Sequence, residues 1–172
     1  MSEILIKTDR LILRGITLDD FDAIHEYATD MEVVRHIEWG PNSVEDTNKF
    51  IADQMANQKD PKRKQFVFAT TLDGMLIGTV GITIEGQVGD FGYAFNSKYW
   101  GNGYATEASK ALLDYILDNF ELSKLKATCD VKNEASCRVI EKCGLKLVKK
   151  VDNECEIRGE MRDTYFFERD LS

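Results

Sequence analysis

Apolar positions recur with two periods along the 172 residues, and the switching between them lays out the elements. "RLILR" (10–14) alternates with period two and predicts a short strand. Thr17, with Asp20 three residues on, makes a capping box ahead of Phe21, Ile24 and Ala28, which share one helical face. A second box, Ser43 with Asp46, opens a helix to about Gln58 that turns Val44, Thr47, Phe50, Ile51 and Met55 inward. The period then returns to two. Phe66, Phe68, Thr70 and Leu72 alternate toward Asp73-Gly74, a hairpin signal. The predicted strands are 65–72, 75–85 and 88–96, the last two joined across Glu85-Gly86-Gln87. A helix (105–119), a strand (124–131), a helix (134–143) and further strands complete the chain.

Hairpins join antiparallel neighbours and a helical crossover joins parallel ones. The order therefore predicts an α/β fold: a mixed, predominantly antiparallel sheet of six to seven strands with helices on both faces. Repeats, low-complexity tracts and Pro/Gly/Ser linkers are missing, so residues 1–172 read as a single domain.

Charge narrows the partners. Lys and Arg total 22 against 30 Asp and Glu, a formal charge of -8, which argues against a nucleic-acid backbone and mildly favours a cationic substrate. "MSEILIKTDRLILRG" is broken by charges, and nothing later approaches the roughly 20 apolar residues of a membrane span, so no membrane association and a cytoplasmic location are expected. Cys129, Cys137, Cys143 and Cys155 form no C-x-x-C pair and have no histidine at ligand spacing. They read as reduced thiols, and no metal is expected.

The chemistry concentrates at "YWGNGYATEA" (99–108), where two glycines separate a strand from a helix without any lysine or arginine. A helix starting near Ala105 leaves its first N–H groups unpaired, and Gly101 and Gly103 remove the side chains that would keep an anion from that backbone. The plain alternative is a tight turn in which glycine supplies a positive φ. A P-loop is excluded because no "GK[ST]" follows. A dinucleotide fingerprint is disfavoured because Thr106 stands where the third glycine belongs and the preceding strands form hairpins.

Four segments together resemble the GNAT superfamily of N-acetyltransferases, in the branch similar to ribosomal-protein N-terminal acetyltransferases. They are "TDRLILRGITLDDFDAI", "FGYAFNSKYWGNGYATEA", "NEASCRVIEKCGL" and "GEMRDTYFFERDL", and they occur in the family's order. The resemblance implies the GNAT fold with a splayed parallel strand pair, and acetyl-CoA as co-substrate. It aligns "WGNGYA" with the family's Q/R-x-x-G-x-G/A motif, matching at Gly103 and Ala105 and differing at Trp100. Cofactor contacts are thereby expected from Trp100, Gly101, Asn102, Gly103, Tyr104, Ala105 and Thr106, chiefly through backbone amides. Phe95, on the strand ahead of the turn, matches the backbone position that pairs with pantetheine. Asn133 matches an asparagine on the pantetheine arm, besides being an ordinary helix N-cap.

By the same resemblance Ser136 places or protonates the departing thiol. The tyrosine acid common in the wider superfamily, seven residues after that asparagine, is Ile140 here. An amine acceptor also needs a base, and the polar candidates are Glu85, Asp90, Glu160 and His36. Glu160 is preferred because this branch can use a carboxylate near the C-terminal strands, with Glu156 and Asp163 as rivals. The expected reaction is direct attack of a primary amine, on a protein N-terminus, a polyamine or another small amine, upon acetyl-CoA in a ternary complex. The alternatives are a non-catalytic acyl-CoA-binding module and a nucleotide-binding domain. The chain is expected to act as a monomer or homodimer.

Overall fold

The computed structural model describes residues 3–172. The chain runs β1 (Ile6–Lys7), β2 (Ile12–Arg14), α1 (Phe21–Ala28), α2 (Met31–Val34), α3 (Val44–Gln58), β3 (Gln65–Leu72), β4 (Met75–Glu85) and β5 (Val88–Phe95). It continues through α4 (Tyr104–Asn119), β6 (Lys124–Asp130), α5 (Glu134–Lys142), β7 (Lys146–Ile157) and β8 (Glu160–Asp170). One sheet holds all the strands in the order β1-β2-β3-β4-β5-β6-β8-β7. Among the described residues only β5 and β6 pair in parallel, because α4 carries the chain back across the sheet between them.

Among the described residues the sheet has eight strands where the sequence predicts six to seven. The addition is β1, two residues that pair Ile6 with Leu13 and Lys7 with Ile12. Thr8 closes that turn by donating its N–H to the Leu11 carbonyl at 2.9 Å. Two residues carry no readable period, and neither do the four of α2, which Asp30 caps by accepting the Glu32 N–H. The β3–β4 turn is of the expected kind, with Asp73 and Gly74 both at positive φ.

Alternation along β3 sends Phe66 and Phe68 to one face and Val67 and Ala69 to the other. The first face packs against Ala108, Leu112, Leu113 and Ile116 of α4 and Ile140 of α5. The second packs against Ile24, Tyr27 and Ala28 of α1 and Ile51 of α3. Each fully buried leucine or isoleucine contributes about 1.5–3 kcal/mol. Both capping segments serve as read. Ser43 Oγ accepts the Asp46 N–H at 3.1 Å while Asp46 accepts the Ser43 N–H at 2.9 Å. Asp20 accepts the Thr17 N–H at 2.8 Å.

Asp20 also takes a two-pronged ion pair from Arg14, at 2.8 and 2.9 Å, although its side chain is only 5% exposed. Burial alone would raise its pKa, but the hydrogen bonds from Arg14 and Thr17 outweigh that and hold the carboxyl below its ordinary value. Asp20→Asn is expected to cost about 2–3 kcal/mol at neutral pH, because it leaves the Arg14 guanidinium half-buried and unpaired. A depressed folded pKa stabilises fully above the unfolded value, about 3.9, and is lost as pH falls through the folded one. Urea melts of both proteins should therefore converge on acidification. A gap that does not change with pH would contradict this origin.

Candidate active site

The parallel ladder between β5 and β6 lasts three residue pairs, Val88–Lys124, Gly89–Leu125 and Asp90–Lys126. Beyond them β5 stays with β4 as far as Phe95 opposite Gly78, and β6 stays with β8 as far as Asp130 opposite Thr164. Each strand is fastened on its outer side only, so the two part like a fork. The Asn96 N–H donates to the Ile77 carbonyl of β4 at 2.9 Å. Peptide groups alternate along a strand, so the N–H and C=O of Phe95 turn toward the gap. Its carbonyl receives the Trp100 indole N–H at 2.9 Å. Its ring lies over Gly78, where an added Cβ would come within 2.6 Å of the ring.

The fork opens into a cleft of about 1280 Å³. Gly92 and Tyr93 of β5, Cys129 and Asp130 of β6, and Asn133 and Ser136 beside them form its inner wall. Residues of α1, α3, the 36–42 loop and the end of β7 form the outer part.

Past Phe95 the chain reaches the glycine turn. Gly101 and Gly103 have φ of +78° and +80°, the left-handed region that a side chain strains. Asp30, Ser43 and Asn133 cap α2, α3 and α5 through their side chains, whereas α4 begins at Gly103 with no side-chain cap. Among the described residues no protein group accepts from the backbone N–H groups of 101–106. Added Cβ atoms would meet nothing within 4 Å at Gly101, so the face of the turn is open. Six donors at the positive end of a 16-residue helix suit a diphosphate.

Arg10 reaches this lysine-free turn from the start of the chain. Its Nη1 donates to the Asn102 carbonyl at 2.9 Å, its Nε donates to Glu107 at 2.7 Å, and its guanidinium lies 4.5 Å from the centre of the Tyr104 ring. Asn102 braces the turn from inside by donating to the carbonyls of Tyr99 and Trp100. Trp100 itself is partly exposed and anchors the turn to β5.

Asn133 accepts the Ser136 N–H at 3.2 Å, so its N-cap role is realised while it also lines the cleft. Tyr93 stands beside Ser136. Burial pushes its phenol up to about 12, against a smaller pull from Ser136, so it remains a proton donor at neutral pH. At 140 the isoleucine is buried and donates nothing.

Of the candidate bases, His36 and Asp90 line the cleft, whereas Glu85 and Glu160 do not. Glu160 is exposed and held by Lys132 at 3.3 Å and Arg162 at 3.1 Å. His36 Nδ1 lies 2.9 Å from Asp130 Oδ2, an oxygen that also accepts from Arg162 at 2.9 Å. Asp130 is 2% exposed at its side chain, so the pair fixes the imidazole at the rim of the fork. Asp90 sits where the ladder ends. Burial raises its pKa and Lys126, at 3.6 Å, opposes the rise.

Arg10, Tyr93 and Asp130 were not singled out from sequence. Tyr93 reads as one position of an alternating strand, and Arg10 gives no local signal. Asp130 offered one: an acid at the carboxyl end of a strand beside the parallel pair, where ligands of such sheets bind.

A forked parallel pair feeding an uncapped, glycine-led helix has the geometry to take an extended anionic ligand. Residues 10–146 match the family described as "Acetyltransferase (GNAT) domain", and the chain belongs to that family of N-acetyltransferases. The uncharacterized N-acetyltransferase YnaD of Bacillus subtilis (strain 168) is 32% identical over 142 residues, 82% of either chain. A GNAT-family acetyltransferase structure from Bacillus anthracis superposes with a TM-score of 0.86 at 30% identity, over 97% of this chain and 98% of that one. RimL, the ribosomal L7/L12 alpha-N-protein acetyltransferase solved with coenzyme A, shares the fold with a TM-score of 0.88 at 17% identity over 98% of both chains.

Proposed function

We propose that the chain transfers an acetyl group from acetyl-CoA directly to a primary amine, on a protein N-terminus or a small molecule, with both held in the cleft. The observation that carries this is that the unpaired amides of 101–106 follow directly on the β5 edge of residues 91–95 that β6 leaves, where the Phe95 N–H faces the gap and its carbonyl is held by Trp100. The RimL structure that shares this fold holds coenzyme A, and the same geometry suits that cofactor here.

Bound acetyl-CoA supplies a thioester carbonyl open to a neutral amine. The amides of 101–106 hold the diphosphate, and the gap-facing N–H of Phe95 aligns the pantetheine arm as an added strand would. Strand N–H groups at the fork polarise the carbonyl oxygen as charge grows on it. His36 takes the proton of the incoming ammonium, and Asp130 keeps the ring oriented. Ser136 returns a proton to the departing sulfur, with the Tyr93 phenol behind it. Six carboxylates line the cleft, those of Glu38, Asp46, Asp53, Asp90, Asp130 and Glu154. The lysine among them, Lys49, is bonded to Asp53, so the field favours a cationic acceptor.

A thiol-release assay with acetyl-CoA and a panel of N-terminal peptides, polyamines and aminoglycosides tests the reading. Release with at least one amine is expected. Ser136→Ala should lower kcat by about 10-fold or more while leaving the acetyl-CoA affinity nearly unchanged. Cofactor binding without turnover on any amine would favour a binding module, and NAD or ATP displacing acetyl-CoA would favour a nucleotide site.

A further inference from the structure

Two thiols meet inside the fork. Cys129 lies on β6, three residues past the last one paired to β5, and its side chain lines the cleft. Cys137 lies in the first turn of α5, its N–H bonded to the Asn133 carbonyl at 3.1 Å. Both are free, and their sulfurs are 2.7 Å apart, about 0.7 Å more than a covalent S–S bond. Cys143 and Cys155 have no such neighbour among the described residues.

We propose that Cys129 and Cys137 form a reversible disulfide by exchange with a low-molecular-weight disulfide, and that this bond shuts the thioester cleft. The gating half rests on the acetyl-CoA reading above; the bond itself does not. Burial and the adjacent Cys137 raise the Cys129 thiol above its ordinary pKa, so the more exposed Cys137 begins the exchange. Its thiolate attacks one sulfur of the small disulfide, whose S–S bond breaks. The first small thiol leaves as a thiolate and takes up a proton. Cys129, already in contact, gives up its proton and attacks the Cys137 sulfur of the mixed disulfide, expelling the second small thiol. In sum two protein thiols lose two electrons and two protons, and one small disulfide becomes two thiols.

The consequence follows from what the bond ties together. Ile140 is the one fully buried residue of α5, and its first turn packs on the core through the partly buried Cys137. That turn carries Asn133 and Ser136, which face the slot the pantetheine arm must enter. A covalent link draws the turn down on β6 and fixes the slot at its narrowest.

The test treats reduced protein with glutathione disulfide and reads intact mass, then acetyl-CoA affinity by calorimetry and kcat/KM. The expected mass is that of the reduced chain less two hydrogens, with the peptides of Cys129 and Cys137 joined. Affinity and kcat/KM should fall at least about fivefold and recover with a thiol reductant. Cys137→Ala should stay active and lose the response, while Cys155→Ala should keep it. A chain that stays reduced, or stops at a glutathione adduct, overturns the disulfide. A disulfide with unchanged affinity and turnover overturns the gating. No heat from acetyl-CoA with the reduced protein overturns the cofactor reading and the gating together, while the mass still decides the bond.

Discussion

Gly103→Val is expected to abolish saturation by acetyl-CoA while leaving a folded domain. Gly103 sits at a φ of +80° as the first residue of the uncapped helix start. A β-branched residue there is forced back to negative φ, which swings the N–H groups of 103–106 away from a common point. Two charge-assisted hydrogen bonds lost at about 1.5–3 kcal/mol each correspond to a drop in affinity of 100-fold or more. Gly86→Val is the control. Gly86 also has a positive φ, +60°, in the β4–β5 turn, so it carries a similar strain outside the cleft. Calorimetry should separate the two variants, and circular dichroism should show both folded. Equal affinities would remove the turn from cofactor binding.

His36→Gln is expected to lower kcat by about 100-fold with little change in the acetyl-CoA KM. Glutamine keeps a hydrogen-bonding side chain near Asp130 but cannot carry the proton. Glu160→Gln is the comparison, and near wild-type kcat is expected because its carboxylate faces Lys132 and Arg162 outside the cleft. If Glu160→Gln loses turnover and His36→Gln does not, the base is Glu160.

The two candidate bases show where sequence reasoning stops. Elements with local causes were legible: the capping box of Ser43 and Asp46, the positive-φ turn at Asp73-Gly74 and the alternation of Phe66 and Phe68 each act within a few residues. So was the glycine turn, since a helix start without a capping side chain can be read directly. The pairing of His36 with Asp130 joins positions 94 apart, and Arg10 meets Asn102 across 92. Such contacts depend on how the sheet stacks its strands, and no local period encodes them. Glu160 was favoured by its place near the C-terminal strands, but the register that sets it opposite Ile157 turns its carboxylate to Lys132 and Arg162. The S···S contact of Cys129 and Cys137 is intermediate: eight residues apart in sequence, yet visible only once α5 is docked on β6.

The most direct test of the account is a crystal structure with acetyl-CoA bound. The diphosphate should accept hydrogen bonds from the backbone N–H groups of 101–106. The pantetheine arm should run along residues 91–95, with its thioester between Ser136 and His36. A cofactor whose diphosphate lies away from that helix start, or whose arm avoids the fork, would contradict it.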